Sequence, residues 1–140
     1  MGKKKEKLTW LPRPSRPKKS SIPAALKAQV DAKAKKLVQS VLKPKFIQPP
    51  PKKPRFNYII DVTAKWHGGS LYFISTYACP GPTAISPTFE AKFARMEFVG
   101  GSKFNLSFMR HTGKWVVLFL SLSLNECLDA IENNFWFQPL

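Results

Sequence analysis

Apolar and polar residues alternate along much of the second half of this chain, as they do in strands that bury one face. Strict alternation over residues 56–66 predicts a first strand whose buried face consists of Phe56, Tyr58, Ile60, Val62, Ala64 and Trp66. Similar patterns predict strands over 71–79, 88–99 and 103–110. Glycine pairs lie in the intervals 67–70 and 100–102, so we expect tight turns and antiparallel pairing of neighbours. The Pro-rich interval 80–87 is expected to form an ordered loop.

A fifth strand is predicted over residues 115–121, after a turn at 111–114. Its apolar run is nearly continuous, which is typical of strands buried on both faces. We therefore expect this strand to be central in the sheet or covered on both sides.

A short helix is predicted to follow the fifth strand. Ser123 and Glu126 have the spacing of a capping box, so the helix should run from Leu124 to about Asn133. The aromatic side chains of Phe135–Phe137 are then expected to pack in the core. The fold class is α+β, with about five antiparallel strands in a meander and a C-terminal helix. The alternative is a small, partly open β-barrel.

An amphipathic helix is predicted in the first half of the chain, from about Pro23 to Leu42. Ser21 is placed to cap its start, and Pro44 is expected to end it. One narrow apolar stripe indicates docking on the sheet domain and is formed by Leu26, Val30, Ala34, Leu37, Val38 and Val41.

Charge divides the chain near residue 55. The first 55 residues hold 17 of the 23 Lys and Arg residues and two acids, which gives a formal charge of +15. The remainder has six basic and six acidic residues and is neutral. We therefore predict a basic Lys/Pro-rich arm over 1–55, containing the helix over 23–42, and a compact neutral domain over 56–140. The second region is expected to fold without the first.

Such segregated positive charge predicts a negatively charged partner. We expect a non-enzymatic nucleic-acid-binding protein, with RNA preferred over DNA because no DNA-recognition helix motif or zinc finger is evident. The predicted phosphate contacts are Lys3, Lys4, Lys5, Lys7, Arg13, Arg16, Lys18, Lys19, Lys27, Lys33, Lys35, Lys36, Lys43, Lys45, Lys52, Lys53 and Arg55.

Two further sites complete this prediction. Trp10 lies in a short apolar island within basic sequence and is a candidate for stacking on a base or for anchoring the arm on the domain. Arg110, His111 and Lys114 cluster at one predicted hairpin, where they form either a secondary binding patch or an ordinary polar turn.

The stretch from Phe93 to Trp115 reads as a strand, a Gly-Gly turn, a second strand, a basic turn and a tryptophan. It resembles a family of small bacterial domains of unknown function, and that resemblance implies no activity. The arm looks like the basic extensions of ribosomal proteins. This second likeness implies an RNA-binding subunit of a ribonucleoprotein complex, with other proteins of the same complex as further partners.

Two other classes of function stay open. One is a protein-interaction adaptor or a DNA-binding accessory subunit. The other is a small metal-dependent nuclease, which would use Asp61, Glu90, Glu97 and His111. No catalytic motif, metal-ligand spacing or cofactor-binding loop is present, so we expect no metal and no cofactor.

Compartment is predicted from what the chain lacks. No secretory signal and no transmembrane run is evident, so a cytoplasmic protein is expected, with the nucleus or nucleoid as alternatives. Cys79 and Cys127 are far apart in sequence and are expected to be buried, reduced thiols.

Overall fold

Five antiparallel strands form one open sheet in which each strand pairs with its neighbours in sequence. The computed structural model describes residues 22–49, 56–81 and 86–139. The order β1-β2-β3-β4-β5 confirms the predicted meander, and because the sheet does not close, the barrel alternative is excluded. The strands are β1 (Tyr58–His67), β2 (Ser70–Ala78), β3 (Thr88–Gly100), β4 (Lys103–Met109) and β5 (Trp115–Leu122).

Glycines make the tight turns between strands possible. Gly68 joins β1 to β2 with a φ of 61°, and Gly100 and Gly101 join β3 to β4 with φ values of 92° and 58°. Side chains with a Cβ rarely adopt these angles, so the glycine pairs determine where the predicted hairpins reverse. Residues 82–85 of the predicted loop lie outside the described ranges.

The first helical region is longer than predicted. It comprises α1 (Ala24–Leu37), a π-helical turn (Val38–Leu42) and α2 (Lys43–Phe46). The prediction that Pro44 ends the helix is therefore wrong. A proline ring clashes with the carbonyl four residues earlier in a regular α-helix, and the wider π turn immediately before Pro44 relieves that clash. Pro23 precedes α1 without a side-chain cap, and Ser21 lies outside the described ranges.

The second helical region agrees with the sequence. Helix α3 spans Leu124–Asn133, and its start has the predicted capping box. The Ser123 hydroxyl accepts a hydrogen bond from the Glu126 backbone N–H at 3.2 Å, and the Glu126 carboxylate accepts one from the Ser123 N–H at 2.9 Å. These bonds satisfy backbone donors that every helix start leaves without an intrahelical partner.

All helices with a buried stripe pack on the same face of the sheet. Val30, Ala34 and Leu42 from the first helical region and Ile131 from α3 join one core with the inward residues of the strands. This confirms the predicted docking of the N-terminal helix on the sheet. Division of the chain at residue 55 stays a prediction that rests on charge.

Alternation in β1 is interrupted, which changes its predicted buried face. The pairing register with β2 shifts between Ile59 and Asp61. As a consequence Ile59 packs against the core, whereas Ile60 is 40% exposed. Phe56 lies before the strand begins and is 80% exposed. The strict alternation predicted from residue 56 is therefore wrong in its first half, because the bulge puts the residues before it on the faces opposite to those predicted.

The last strand and the last aromatic segment also differ from the prediction. Strand β5 is an edge strand, neither central nor covered on both faces, and Leu120 in it is 70% exposed. A short 3₁₀ helix follows α3 over Phe135–Phe137, and of its three aromatic residues only Phe137 is buried. The predicted packing in the core is thus made by one side chain.

Candidate nucleic-acid interface

One face of the sheet carries no helix from residues 22–49, 56–81 or 86–139. Leu71 and Phe73 of β2 point into the core, so Tyr72 between them points to the opposite face. In the same way Ala94 and Met96 of β3 are core residues, and Arg95 between them is on the helix-free face. The pairing Tyr72–Arg95 places these two side chains beside each other across the strands.

Three aromatic rings lie close together on this helix-free face. The Tyr72 ring centroid is 5.8 Å from that of Trp115 and 6.2 Å from that of His67. The three residues come from β2, β5 and the end of β1, so only the sheet register brings them together. Tyr72 and Trp115 are half-buried and His67 is exposed.

Two cations lie against these rings. The Lys92 ammonium is 4.6 Å from the centre of the Tyr72 ring, and the Arg95 guanidinium carbon is 5.0 Å from the centre of the Trp115 ring. Both distances are within the range of attractive cation–π contacts. We call the group of His67, Tyr72, Lys92, Arg95 and Trp115 the aromatic–cation cluster.

Neither cation of this cluster has a carboxylate partner among the described residues. Toward the described part of the chain, Arg95 donates one long hydrogen bond, from Nη2 to the Ser107 hydroxyl at 3.5 Å. By contrast, Lys65 on the same face lies 3.9 Å from the Glu90 carboxylate. The cluster therefore presents positive charge that the described part of the chain does not neutralise, next to flat apolar rings.

The predicted phosphate contacts on the first helical region engage other parts of the chain. The Lys43 ammonium is 3.3 Å from Asp61, and Lys35 is 3.0 Å from Asp31. Lys27 lies over the Trp66 ring at 5.3 Å. Each of these lysines thus has an interaction within the protein.

Two more lysines connect this region to α3. Lys33 donates to the Asn125 side-chain oxygen at 3.0 Å, and Lys45 donates to the Glu132 backbone oxygen at 3.4 Å. Lys36 is exposed and has no such contact with the described residues. The structure therefore gives most of these lysines a role in docking the helices. The remaining predicted arm residues lie outside the described ranges and are Lys3, Lys4, Lys5, Lys7, Trp10, Arg13, Arg16, Lys18, Lys19, Lys52, Lys53 and Arg55.

The predicted patch at the β4–β5 turn is exposed. Arg110 and His111 line a groove of about 490 Å³ that also contains Phe108, Val116, Phe135 and Trp136. Lys114 belongs to the turn itself, where its backbone oxygen accepts a hydrogen bond from the Arg110 N–H at 2.9 Å. This groove opens beside the core-facing side of the sheet, because Phe108 and Val116 are the paired residues of β4 and β5 that point that way.

The residues of the nuclease alternative are not brought together. Within residues 22–49, 56–81 and 86–139, no three His, Cys, Asp or Glu side chains are close enough to hold a metal ion. Asp61 pairs with Lys43, Glu90 pairs with Lys65, and His111 lies in the β4–β5 turn.

Sequence reasoning missed every member of the aromatic–cation cluster as a site residue. Its members are spread from residue 67 to residue 115 and form no local motif. The sequence contained one indication of the site. Tyr72 is a large aromatic residue, but alternation puts it on the face opposite to that of its two apolar neighbours, Leu71 and Phe73. An aromatic ring on the solvent-facing side of an alternating strand indicates a surface that can contact a ligand or a partner.

Comparison with known proteins places the chain in a family. None of the helices in the described ranges has the length and hydropathy needed to cross a membrane. No curated protein and no solved structure matches the chain significantly. The profile of one family, described as "Domain of unknown function (DUF3024)", matches residues 22–137, which include the docked helix and the whole sheet. That match agrees with the expected small domain of unknown function, and the chain belongs to the DUF3024 family.

Proposed function

We propose that this protein is a non-enzymatic RNA-binding subunit that holds single-stranded RNA on the helix-free face of its sheet. The observation that carries the proposal is the pairing of two uncompensated cations, Lys92 and Arg95, with the Tyr72 and Trp115 rings. Proteins that bind single strands combine aromatic platforms for bases with positive charge that follows the phosphates. The cluster offers both within one patch.

The basic arm supports the same function by a different route. It holds the whole formal charge of +15, and lysines and arginines bind phosphates without reading sequence. In this proposal the arm supplies affinity, and the cluster determines where the strand lies on the domain. RNA is preferred over duplex DNA because bases must be unstacked to reach an aromatic platform, as they are in single-stranded loops.

The test is a salt-titrated binding assay of the full chain with single-stranded RNA, structured RNA and duplex DNA. The decisive variant is Lys92→Gln/Arg95→Gln, which removes both charges of the cluster. Each phosphate contact on a single strand contributes about 0.7 to the slope of log affinity against log salt. We therefore expect the slope of the double variant to be less steep by about 1.4.

Lys65→Gln is the matched control, because it removes a charge from the same face that Glu90 already compensates. It should change the slope much less than either cluster substitution. If Lys65→Gln and the cluster variants weaken binding equally for each charge removed, the chain acts as an unspecific polycation and the proposed platform is refuted.

The same assay separates the other functions. An adaptor would bind all three nucleic acids weakly and without preference, and it would keep a protein partner when nucleic acid is added as competitor. A DNA-binding accessory subunit would prefer the duplex. A nuclease would shorten the RNA when Mg²⁺ is supplied, whereas the proposed protein leaves the RNA intact.

A further inference from the structure

Strand β5 is an edge strand that lacks two of the usual kinds of protection, although its pairing with β4 is irregular at two places, between Leu122 and Phe119 and between Phe119 and Val117. Its eight residues, Trp115–Leu122, include no charged residue and no proline. One row of its backbone N–H and C=O groups has no neighbouring strand in the sheet. Long, apolar, unprotected edges pair readily with other strands, which is why most proteins place charges, prolines or bulges there.

The other edge of the sheet, strand β1, carries features that oppose pairing with a further strand. Strand β1 carries Asp61 and Lys65, and its register is broken by a bulge near Ile60. Lys43 of α2 reaches across to Asp61 at 3.3 Å. Charge and helical cover thus oppose strand addition at β1, whereas the described residues place neither of them at β5; both edges contain irregular pairing.

Apolar side chains project from β5 toward both faces of the sheet. Val116 pairs with Phe108 on the core-facing side, and Val117 pairs with Ser107 on the helix-free side. Val117 is 45% exposed and Leu120 is 70% exposed. This two-sided apolar pattern explains why the sequence predicts a covered strand, and it leaves apolar surface in water unless another strand lies beside it.

We propose that β5 pairs antiparallel with β5 of a second copy of this chain, so that two sheets join into one of ten strands. A second copy fits the edge because the required partner is an uncharged strand that is apolar on both faces and has a free edge, and β5 itself has these properties. Antiparallel pairing of identical strands is isologous, so each contact occurs twice around a two-fold axis. No like charges meet along the strand pair.

A dimer of this kind needs apolar surface beyond the paired strands themselves. An eight-residue strand is about 27 Å long, and a stable dimer buries about 800 Å² on each partner. The strand pair supplies part of this area. Phe135 and Trp136, which are 73% and 53% exposed, line the groove next to Val116 and extend the apolar surface beside the edge.

The two-fold axis of such a pair is perpendicular to the sheet. Both helix-free faces therefore lie on the same side of the joined sheet. Trp115 is the first residue of β5, so the two aromatic–cation clusters lie toward opposite ends of the paired strands. The dimer does not depend on the proposed RNA binding, and either inference can fail without the other.

The experiment measures the mass of the full chain, freed of nucleic acid, by sedimentation equilibrium over a range of concentrations. The solution should contain about 0.15 M salt, where the Debye length of about 8 Å limits repulsion between the two basic arms. Hydrogen exchange of the β5 backbone amides is followed on the same samples. We expect a reversible dimer, and β5 amides that become more protected as the dimer fraction rises.

Leu120→Lys and Val117→Lys place a charge on the paired edge, where it meets its symmetry copy or apolar side chains. We expect each to raise the dimer dissociation constant about tenfold or more, a change of 1.4 kcal/mol or above. Val99→Lys is the matched control: Val99 lies in β3 and is 45% exposed, like Val117. Thermal unfolding of all three variants checks that the fold is retained.

Two results would overturn the proposal. The first is a full chain that stays monomeric at every concentration, which would leave β5 for a strand of another protein or for none. The second is a dimer that the β5 variants and Val99→Lys affect equally, which would place the contact elsewhere. If Leu120→Lys fails to fold, the concentration dependence of β5 amide protection in the unaltered chain decides the question.

Discussion

The Arg95 guanidinium reaches across β4 to lie over the Trp115 indole ring, with 5.0 Å between the guanidinium carbon and the ring centre. The two residues belong to β3 and β5, which are not neighbours in the sheet. Ser107 of β4 lies between them and is fully buried. Because this intervening residue is small, a cation on one strand contacts a ring two strands away.

Removal of that ring tests its role in binding. Stacking of one base on an aromatic side chain is worth about 1–3 kcal/mol. We therefore expect Trp115→Ala to weaken single-stranded RNA binding about 5- to 150-fold, as measured by fluorescence anisotropy of a labelled strand. Trp136→Ala is the control, since Trp136 is 53% exposed and lines the groove away from the helix-free face. Equal losses in the two variants would contradict the assignment.

The N-terminal helix should be essential to stability. Leu42 is completely buried in the core shared with the sheet. Truncation of a buried leucine costs about 2–5 kcal/mol, so Leu42→Ala should lower the free energy of unfolding by that amount in urea denaturation. Lys36→Ala, an exposed position on the same helix, should change it by less than about 0.5 kcal/mol.

The same packing predicts a result that differs from the expectation based on the charge pattern, that residues 56–140 fold without the first 55. A chain that begins at residue 56 would lack Val30, Ala34 and Leu42, all of them fully buried. We expect it to show no cooperative unfolding transition, because the face of the sheet that these residues cover would be exposed to water. A cooperative transition in that fragment would show that the sheet holds together without the helix.

The capping box of α3 should give a pH-dependent contribution. Hydrogen bonds from Ser123 lower the pKa of Glu126 below its ordinary value of 4.5. A lowered carboxyl pKa stabilises the fold above the unfolded pKa, and this contribution is lost as pH falls through the folded pKa. Ser123→Ala should cost about 1 kcal/mol at neutral pH, because the Glu126 backbone N–H loses its side-chain acceptor. The backbone N–H of residue 123 still donates to the Glu126 carboxylate in this variant, so most of the acid-dependent loss should remain.

Glu126→Gln serves as the control for this effect. Its amide oxygen can still accept the Ser123 hydrogen bond, but it does not titrate. Unfolding followed by circular dichroism from neutral to acid pH should therefore show a smaller acid-dependent loss in this variant. An identical pH profile in Glu126→Gln and the unaltered chain would show that other carboxyl groups produce the acid sensitivity.

The two cysteines should differ in reactivity. Burial raises the pKa of Cys127 to about 12, whereas Cys79 is half-buried and both are free thiols. At about pH 8 a thiol-specific reagent should modify Cys79 in the folded chain and Cys127 only after unfolding, because the thiolate is the reactive form. Cys127→Ala should remove the slow, unfolding-dependent fraction of the reaction.

The raised pKa of Cys127 also predicts how the free energy of unfolding changes at alkaline pH. Burial favours the neutral Cys127 thiol in the folded state. The stability that this thiol contributes to the fold is therefore fully present below the unfolded pKa near 9 and is lost as pH rises toward the folded pKa of about 12. Unfolding of Cys127→Ala should lack this alkaline component.

Local patterns were sufficient to predict most of the fold. Alternation and glycine pairs located the strands and turns, and the Ser123–Glu126 spacing located the start of α3. The errors have local causes that alternation does not reveal. A bulge near Ile60 changes the face of the preceding residues, and a π turn lets the helix continue through Pro44.

The candidate site was less predictable for a different reason. Arg95 and Trp115 are 20 positions apart and become neighbours only through the register of three strands. Charge counting directed attention to the lysines of the first helical region. The structure instead shows that Lys33, Lys43 and Lys45 hold that region against the remainder of the domain.

Adjacent residues of strand β2 lie on opposite faces of the sheet: Leu71 and Phe73 are in the core, and Tyr72 is in the aromatic–cation cluster. Insertion of one residue before Leu71 would move each of these side chains to the other face of the sheet, because side chains alternate with a period of two. Stability and the platform would then be lost together. An insertion between Gly100 and Gly101 would change only a turn. Length variation among relatives of this chain should therefore be concentrated at the hairpin turns, and β2 should keep a constant length.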